Sequence, residues 1–305
     1  MGGAALTKRW GRSVPVGQVI RSHSNIYYVL VDGREVECRP RGKFRLDRLQ
    51  VRAGDEVEVT LAPDGEGRIE KVLPRRNCLE RPPVANVDQC LVVFTLVEPE
   101  ADYLFLDRVL VHVEQAGVEP LILLNKIDLV EEADVAAFVR LYGDLVGYRV
   151  LPISAAEGRG LDELRRHLAG KTSVLAGHSG VGKSRLVRAL EPQRADVRIG
   201  DLSAKSRKGR HTTRHVELIP LTGGGLLADA PGFTYLEFQD IDKWTLRDYF
   251  REFARYQAEC RYADCLHRKE PDCAVRDAVE AGAIPESRHR NYLMFLDEVE
   301  AMKRW

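Results

Sequence analysis

The run Thr172-Ser-Val-Leu-Ala176, followed by Gly177-His178-Ser179-Gly180-Val181-Gly182-Lys183-Ser184-Arg185 and then Leu186-Val-Arg-Ala-Leu190, decides the fold. A short uncharged run that ends at a glycine reads as a buried strand, and the residues after Lys183 read as a helix. Between them, glycines let the backbone wrap a phosphate with its N–H groups turned inward, and the helix N-terminus adds a positive dipole end. Lys183 then reaches the β- and γ-phosphates of a nucleotide, and Ser184 holds Mg²⁺. Strand, loop and helix in this order make a phosphate-binding loop in an α/β domain.

Working outward, the apolar runs Cys90–Val97, Leu121–Leu124 and Arg149–Ile153 alternate with helical segments near 102–116, 131–142 and 160–169. That alternation predicts a mainly parallel sheet. Asn125-Lys126-Ile127-Asp128 follows the second of these strands, where Asp128 can accept from guanine N1–H and the exocyclic amine. Adenine lacks that donor pair, and an unpaired buried carboxylate gives discrimination of about 10⁴, so GTP and GDP are expected rather than ATP. Ser154-Ala155, just past Ile153, is expected to offer a backbone N–H to guanine O6. Strands near His215–Leu221 and Leu226–Ala228 complete the domain, the latter ending in Asp229-Ala-Pro-Gly232. Here Asp229 would orient Mg²⁺ through water, and the Gly232 N–H would meet the γ-phosphate.

Ahead of that strand, KSRKGRHTTR at 205–214 carries five basic residues and no acid. Thr212 or Thr213 in such a loop can close on Mg²⁺ only while the γ-phosphate is present. Phe233 directly follows Gly232 and cannot orient an attacking water, which makes His211 the nearest candidate. The Phe233 substitution also leaves open a GTP-dependent RNA-binding adaptor with little hydrolysis.

Residues 14–73 alternate apolar and polar through five short runs separated by Asp32-Gly33, Gly54-Asp55 and Asp64-Gly65, which predicts an OB-like barrel. Its Arg34–Arg48 segment has a modest positive excess, and barrels of this kind hold oligonucleotides. Pro74–Pro83 breaks the pattern and reads as a linker. Toward the other end, Leu246, Phe250 and Phe253 fall at helical spacing as core positions, and Pro285 opens a helix with a stripe of Tyr292, Phe295, Leu296, Val299 and Met302. Between them, Cys260, Cys265, His267 and Cys273 form a Cys₃His set suited to one tetrahedral Zn²⁺ with no open position, a structural site. Cys38, Cys78 and Cys90 are isolated packing residues.

The 305 residues are 44% hydrophobic and 30% charged, with 46 basic against 46 acidic side chains, which excludes nucleic-acid binding by bulk charge. No apolar run approaches the roughly 18 residues of a membrane span. MGGAALTKRWGRS at the start has no apolar core, so no signal peptide and no membrane contact are expected, and a cytoplasmic place is.

The base-reading motifs precede the phosphate-reading ones, a rotated order that resembles a circularly permuted GTPase. With the barrel, RPPVANVDQ at 81–89, GRHTT at 209–213 and the cysteine cluster, the chain is similar to the ribosome small subunit-dependent GTPase A family (RsgA, or YjeQ/YloQ-like). The resemblance implies hydrolysis of GTP to GDP and phosphate, stimulated by the small (30S) ribosomal subunit and its rRNA during late maturation. It further implies His211 as the catalytic group and Thr213 as a second Mg²⁺ ligand beside Ser184. The expected organisation is a tail (1–13), an OB-like RNA-binding barrel (14–73), a linker (74–83), a permuted GTPase domain (84–238) and a helical zinc module (239–305) in a monomer. Because the permutation runs Asp229–Gly232 straight into the last module, nucleotide state is expected to tilt it.

Overall fold

Alternating burial within the first five strands turns one side of each toward a shared interior. The computed structural model describes residues 14–40, 51–62, 65–80, 82–192, 216–228, 237–238 and 240–302. Strands β1 (Val16–His23), β2 (Ile26–Val31), β3 (Arg34–Pro40), β4 (Glu56–Leu61) and β5 (Gly67–Val72) close in the order β1-β2-β3-β5-β4, with β1 pairing back onto β4. The β3–β5 pair is parallel and the others antiparallel. Val19, Val29, Val31, Cys38, Val57, Val59 and Ile69 fill the interior. This is the OB-like barrel that the alternation predicts.

The segment read as a linker is not slack. Cys78–Glu80 (β6) and Pro83–Ala85 (β7) pair antiparallel, and Ala85 N–H donates to Ala53 O (2.9 Å). Asn86 Nδ2 donates to Gly54 O (3.0 Å), and Arg75 grips the fully buried Asp55 through Nε–Oδ1 (2.6 Å) and a second bond to Oδ2 (2.9 Å). Gly54 has φ +90°, and a Cβ there would lie 2.0 Å from Ala85 O. The prolines end the strand period, but neighbouring polar side chains bind the backbone to the barrel.

Six further strands follow: β8 (Gln89–Phe94), β9 (Glu119–Leu124), β10 (Arg149–Pro152), β11 (Thr172–Ala176), β12 (Leu218–Pro220) and β13 (Leu226–Ala228). They form one sheet in the order β10-β9-β8-β11-β13-β12, parallel except for β12 against β13. Helices α1 (Tyr103–Gln115) and α2 (Glu132–Val139) cover one face, and α3 (Leu161–Leu168) and α4 (Lys183–Leu190) the other. Strand periodicity splits the core: Val92 and Phe94 pack with Leu106, Val109 and Leu110 of α1, whereas Leu91 and Val93 pack with Leu164 and Leu186. After α2 the chain continues through a π-helical turn, Arg140–Val146, that buries Tyr142.

The C-terminal part gathers Phe238, Leu246, Phe250, Phe253, Tyr292, Phe295, Leu296 and Val299 into a third core that also includes Val111 of α1. The helical spacing of Leu246, Phe250 and Phe253 is realised as short 3₁₀ turns, Leu246–Tyr249, Arg251–Arg255 and Gln257–Glu259. Two α-helices follow, α5 (Ala274–Glu280) and α6 (Glu286–Met302), and Met302 at the end of the predicted stripe stays 40% exposed. No helix among the described residues is long and apolar enough to cross a membrane.

Candidate nucleotide and metal sites

The central strand β11 delivers Gly177–Ser184 to the carboxyl edge of the sheet, beside the residues that follow β9 and β10. Such an edge collects ligands in α/β folds because helix N-termini and loops converge there. The loop's glycines have steric work to do. Gly177 has φ +138° and a Cβ would sit 2.3 Å from Val93 O; Gly182 has φ +101° and a Cβ would sit 2.4 Å from Asn125 Nδ2. Lys183 Nζ donates to Gly177 O (2.7 Å) and His178 O (2.6 Å), which folds the lysine over its own loop. Val181 is buried, Ser184 half-buried, and Ser179, Gly180 and Arg185 lie exposed.

Asn125 joins the segment expected to read the base to the one expected to wrap the phosphate. Buried, it donates through Nδ2 to Val181 O (2.8 Å) and accepts through Oδ1 from Ala155 N–H (3.1 Å). Lys126 sits in the left-handed region (φ +64°) with Nζ donating to Glu98 O, and Ile127 N–H donates to Ile153 O (3.3 Å). Asp128 Oδ1 is buried and has no hydrogen-bond partner among the described residues. An orphaned carboxylate oxygen is costly unless a ligand donates to it, and the two donors on one edge of guanine fit that need.

Ser154 is fully buried, its Oγ accepting from Glu157 N–H (3.1 Å) and its own N–H donating to Arg159 O (3.0 Å). The N–H groups of Ser154 and Ala155 are therefore both engaged within the protein. In this conformation Ala155 N–H holds Asn125 in place, while Ser154 bonds within its own turn. His211, Thr212, Thr213, Asp229, Gly232, Phe233 and the basic loop lie outside the described residues.

The second constellation is compact. The ligand atoms of Cys260, Cys265, His267 and Cys273 all lie within 4.8 Å of one another. His267 Nδ1 is 3.6 Å from Cys260 Sγ and 3.4 Å from Cys273 Sγ, and those two sulfurs are 3.9 Å apart. A tetrahedron with Zn–S bonds of about 2.3 Å has edges of about 3.8 Å, so the donor set fits zinc. Sulfurs at this spacing are too far apart for a disulfide, whose S–S bond is about 2.05 Å. Burial, helped by the Arg247 charge, pushes His267 down to about 4, leaving a neutral imidazole, and burial raises the Cys265 thiol to about 12. Metal binding would displace the thiol protons.

Three features escaped sequence reasoning. Glu270 accepts from Leu266 N–H (2.9 Å), Arg268 N–H (2.8 Å) and Lys269 N–H (2.9 Å), closing the loop between His267 and Cys273. Arg288, fully buried, pairs with Asp107 and Glu252. Its signal was present: it lies one turn before Tyr292 on the apolar stripe, a place where a charge requires partners. Asp102 meets His178 of the phosphate loop at 3.1 Å, a contact with no local sequence cue.

Comparison with known proteins adds independent findings. Residues 72–239 match the RsgA GTPase family and residues 16–69 the RsgA N-terminal domain. The small ribosomal subunit biogenesis GTPase RsgA of Caldanaerobacter subterraneus subsp. tengcongensis is 44% identical over 288 residues, 94% of this chain and 97% of that protein. Its counterpart in Moorella thermoacetica is 46% identical over 288 residues, 94% and 98% of the two chains. The crystal structure of YjeQ from Thermotoga maritima superposes with a TM-score of 0.81 at 40% identity, covering 93% of this chain and 98% of that one. YloQ, described as a circularly permuted GTPase, gives 0.82 at 37% identity, with 96% and 98% coverage. Barrel, permuted sheet order and near full-length identity agree, and the chain belongs to the RsgA family of GTPases.

Proposed function

We propose that this GTPase acts on the small ribosomal subunit during its maturation, binding with GTP and hydrolysing it to GDP and phosphate when the subunit is engaged. The observation that carries the nucleotide assignment is the buried Oδ1 of Asp128, unpartnered among the described residues, beside an Asn125 bonded to the phosphate loop. In this reading Gly177–Gly182 present N–H groups to the β-phosphate, Lys183 neutralises charge between the β- and γ-phosphates, and Asp128 accepts from guanine. Ser184 and Thr213 hold Mg²⁺, which when bound offsets charge on the phosphate oxygens. Asp229 and Gly232 report the γ-phosphate, and His211 orients water in place of Phe233. Cys260, Cys265, His267 and Cys273 hold one structural zinc, because four protein ligands fill its tetrahedron.

The ribosomal partner is supported by the names of the relatives, and rRNA contact by the barrel and the zinc module that flank the sheet. The working form is a cytoplasmic monomer. Steady-state GTP hydrolysis by the purified protein, alone and with small subunits, tests the proposal, with large subunits and ATP as controls. Selective acceleration by small subunits is expected. Tight GTP binding without acceleration would overturn the subunit-stimulated reading in favour of a nonhydrolytic RNA-binding switch.

A further inference from the structure

We infer that His178 is a positioning residue for Lys183, anchored by Asp102 at the start of α1; the inference rests on the reading of Lys183 as the phosphate-binding lysine. The carbonyl of His178 receives Lys183 Nζ at 2.6 Å, beside that of Gly177 at 2.7 Å. The ring of the same residue is held by α1: Nε2 lies 3.1 Å from Asp102 Oδ2, and the ring centroid is 3.8 Å from that of Phe105, tilted by 32°. An ionised carboxylate only accepts, so Nε2 carries the proton. Asp102 spends its other oxygen capping the helix, accepting from Phe105 N–H at 2.9 Å. One carboxylate is thus shared between helix and loop.

Such an anchor positions only if it is itself fixed, and α1 is moored along its length. Leu106, Val109 and Leu110 are in the sheet core, Arg108 makes two bonds to Glu298 (2.8 and 2.6 Å), and Asp107 pairs with Arg288. Lys183, by contrast, hangs on a flexible four-carbon stem whose end is set by the carbonyls it bonds. Ground-state phosphates attract that ammonium over a range of positions. The transition state demands it where charge develops, and a displacement of about 1 Å can cost on the order of 100-fold in rate. Freeing the peptide at 178 should therefore lower kcat more than it raises KM.

The pair is open to solvent, with side chains 41% and 48% exposed, so removing it costs little stability and the variants will fold. His178→Ala, and Asp102→Ser, which keeps a capping oxygen but loses reach, are expected to lower kcat for GTP roughly 10-fold with KM changed less than about threefold. His178→Gln, whose amide N–H can meet the same carboxylate, is expected to restore kcat to within about threefold. Lys183→Ala, expected to abolish tight GTP binding, separates the two readings. If it leaves affinity intact, the phosphate-loop assignment fails. If it weakens binding while His178→Ala turns over at the parent rate, or raises KM in step with its loss of rate, or is not rescued by Gln, the positioning role is overturned.

Discussion

Arg288 on α6 and Asp107 on α1, both buried, form an ion pair of 2.7 Å that fastens the cysteine-bearing part of the chain to the nucleotide-binding sheet. Each charge has further partners. Arg288 bonds Glu252 through Nε (2.7 Å) and a second guanidinium nitrogen (3.1 Å), while Asp107 accepts from Tyr142 Oη (2.8 Å) and Asn291 Nδ2 (2.7 Å). Burial pushes the Asp107 carboxyl above the usual carboxylate range, and Arg288 opposes that push. The α1 end of any tilt by the C-terminal module is thus fixed, and a nucleotide-driven motion would have to break or carry this network.

Removing the guanidinium leaves two carboxylates buried without a counter-charge. Arg288→Met is expected to destabilise the protein by about 3–5 kcal/mol, read as a lowered urea midpoint. Adding Asp107→Asn and Glu252→Gln should recover part of that loss, because neutral groups tolerate burial better. A single-variant cost below about 1 kcal/mol, the range of surface pairs, would show that the network does not hold the two parts together.

Asp128 makes a specificity prediction. Replacing its acceptor pair by an amide in Asp128→Asn places a donor opposite the guanine amine, and GTP affinity should fall about 10³- to 10⁴-fold. Xanthosine triphosphate, which carries a carbonyl where guanine has the amine, should bind the variant better than GTP does. Competition against a fluorescent guanine nucleotide on parent and variant measures both, and an unchanged preference for GTP would place base reading elsewhere.

Glu270 ties together the turn between His267 and Cys273. Burial alone would raise its pKa, but backbone N–H groups from Leu266, Lys269 and Arg268 bring it down to about 2. A carboxylate whose folded pKa lies below its ordinary 4.5 contributes stability that is complete above 4.5 and lost as pH falls toward 2. Glu270→Gln should therefore cost about 1 kcal/mol by an amount that stays flat from pH 7 to pH 5, and should speed zinc release to a chelator. A cost that shrinks between pH 7 and pH 5 would contradict the hydrogen-bond account. Cys273→Ala, by removing a ligand outright, should drop the zinc content from one ion to near zero by atomic emission.

Much of the site was legible along the chain because its chemistry is local. Gly177–Ser184 is contiguous, and wrapping a phosphate needs glycine, lysine and serine at set intervals after a strand. The same holds for Asn125–Asp128 and for the Cys₃His set, whose ligands span only residues 260–273. The barrel strands were readable because burial alternates with period two when one face meets a core. Where the reading failed, long-range partners decided. The prolines of 74–83 end a strand pattern, but only the fold places Arg75 on Asp55 and Ala85 on Ala53.

By itself, then, the order of short motifs determined a permuted GTPase arrangement between a barrel and a Cys₃His cluster, since each motif carries its own spacing. Tertiary structure alone decided what connects them. Asn125 lies far along the chain from Val181, Asp102 from His178 and Asp107 from Arg288, and no periodicity records such pairs. The reason is physical. A buried polar group must be satisfied by whatever element the packing of apolar faces brings beside it, and that neighbour is fixed only when the whole core has formed.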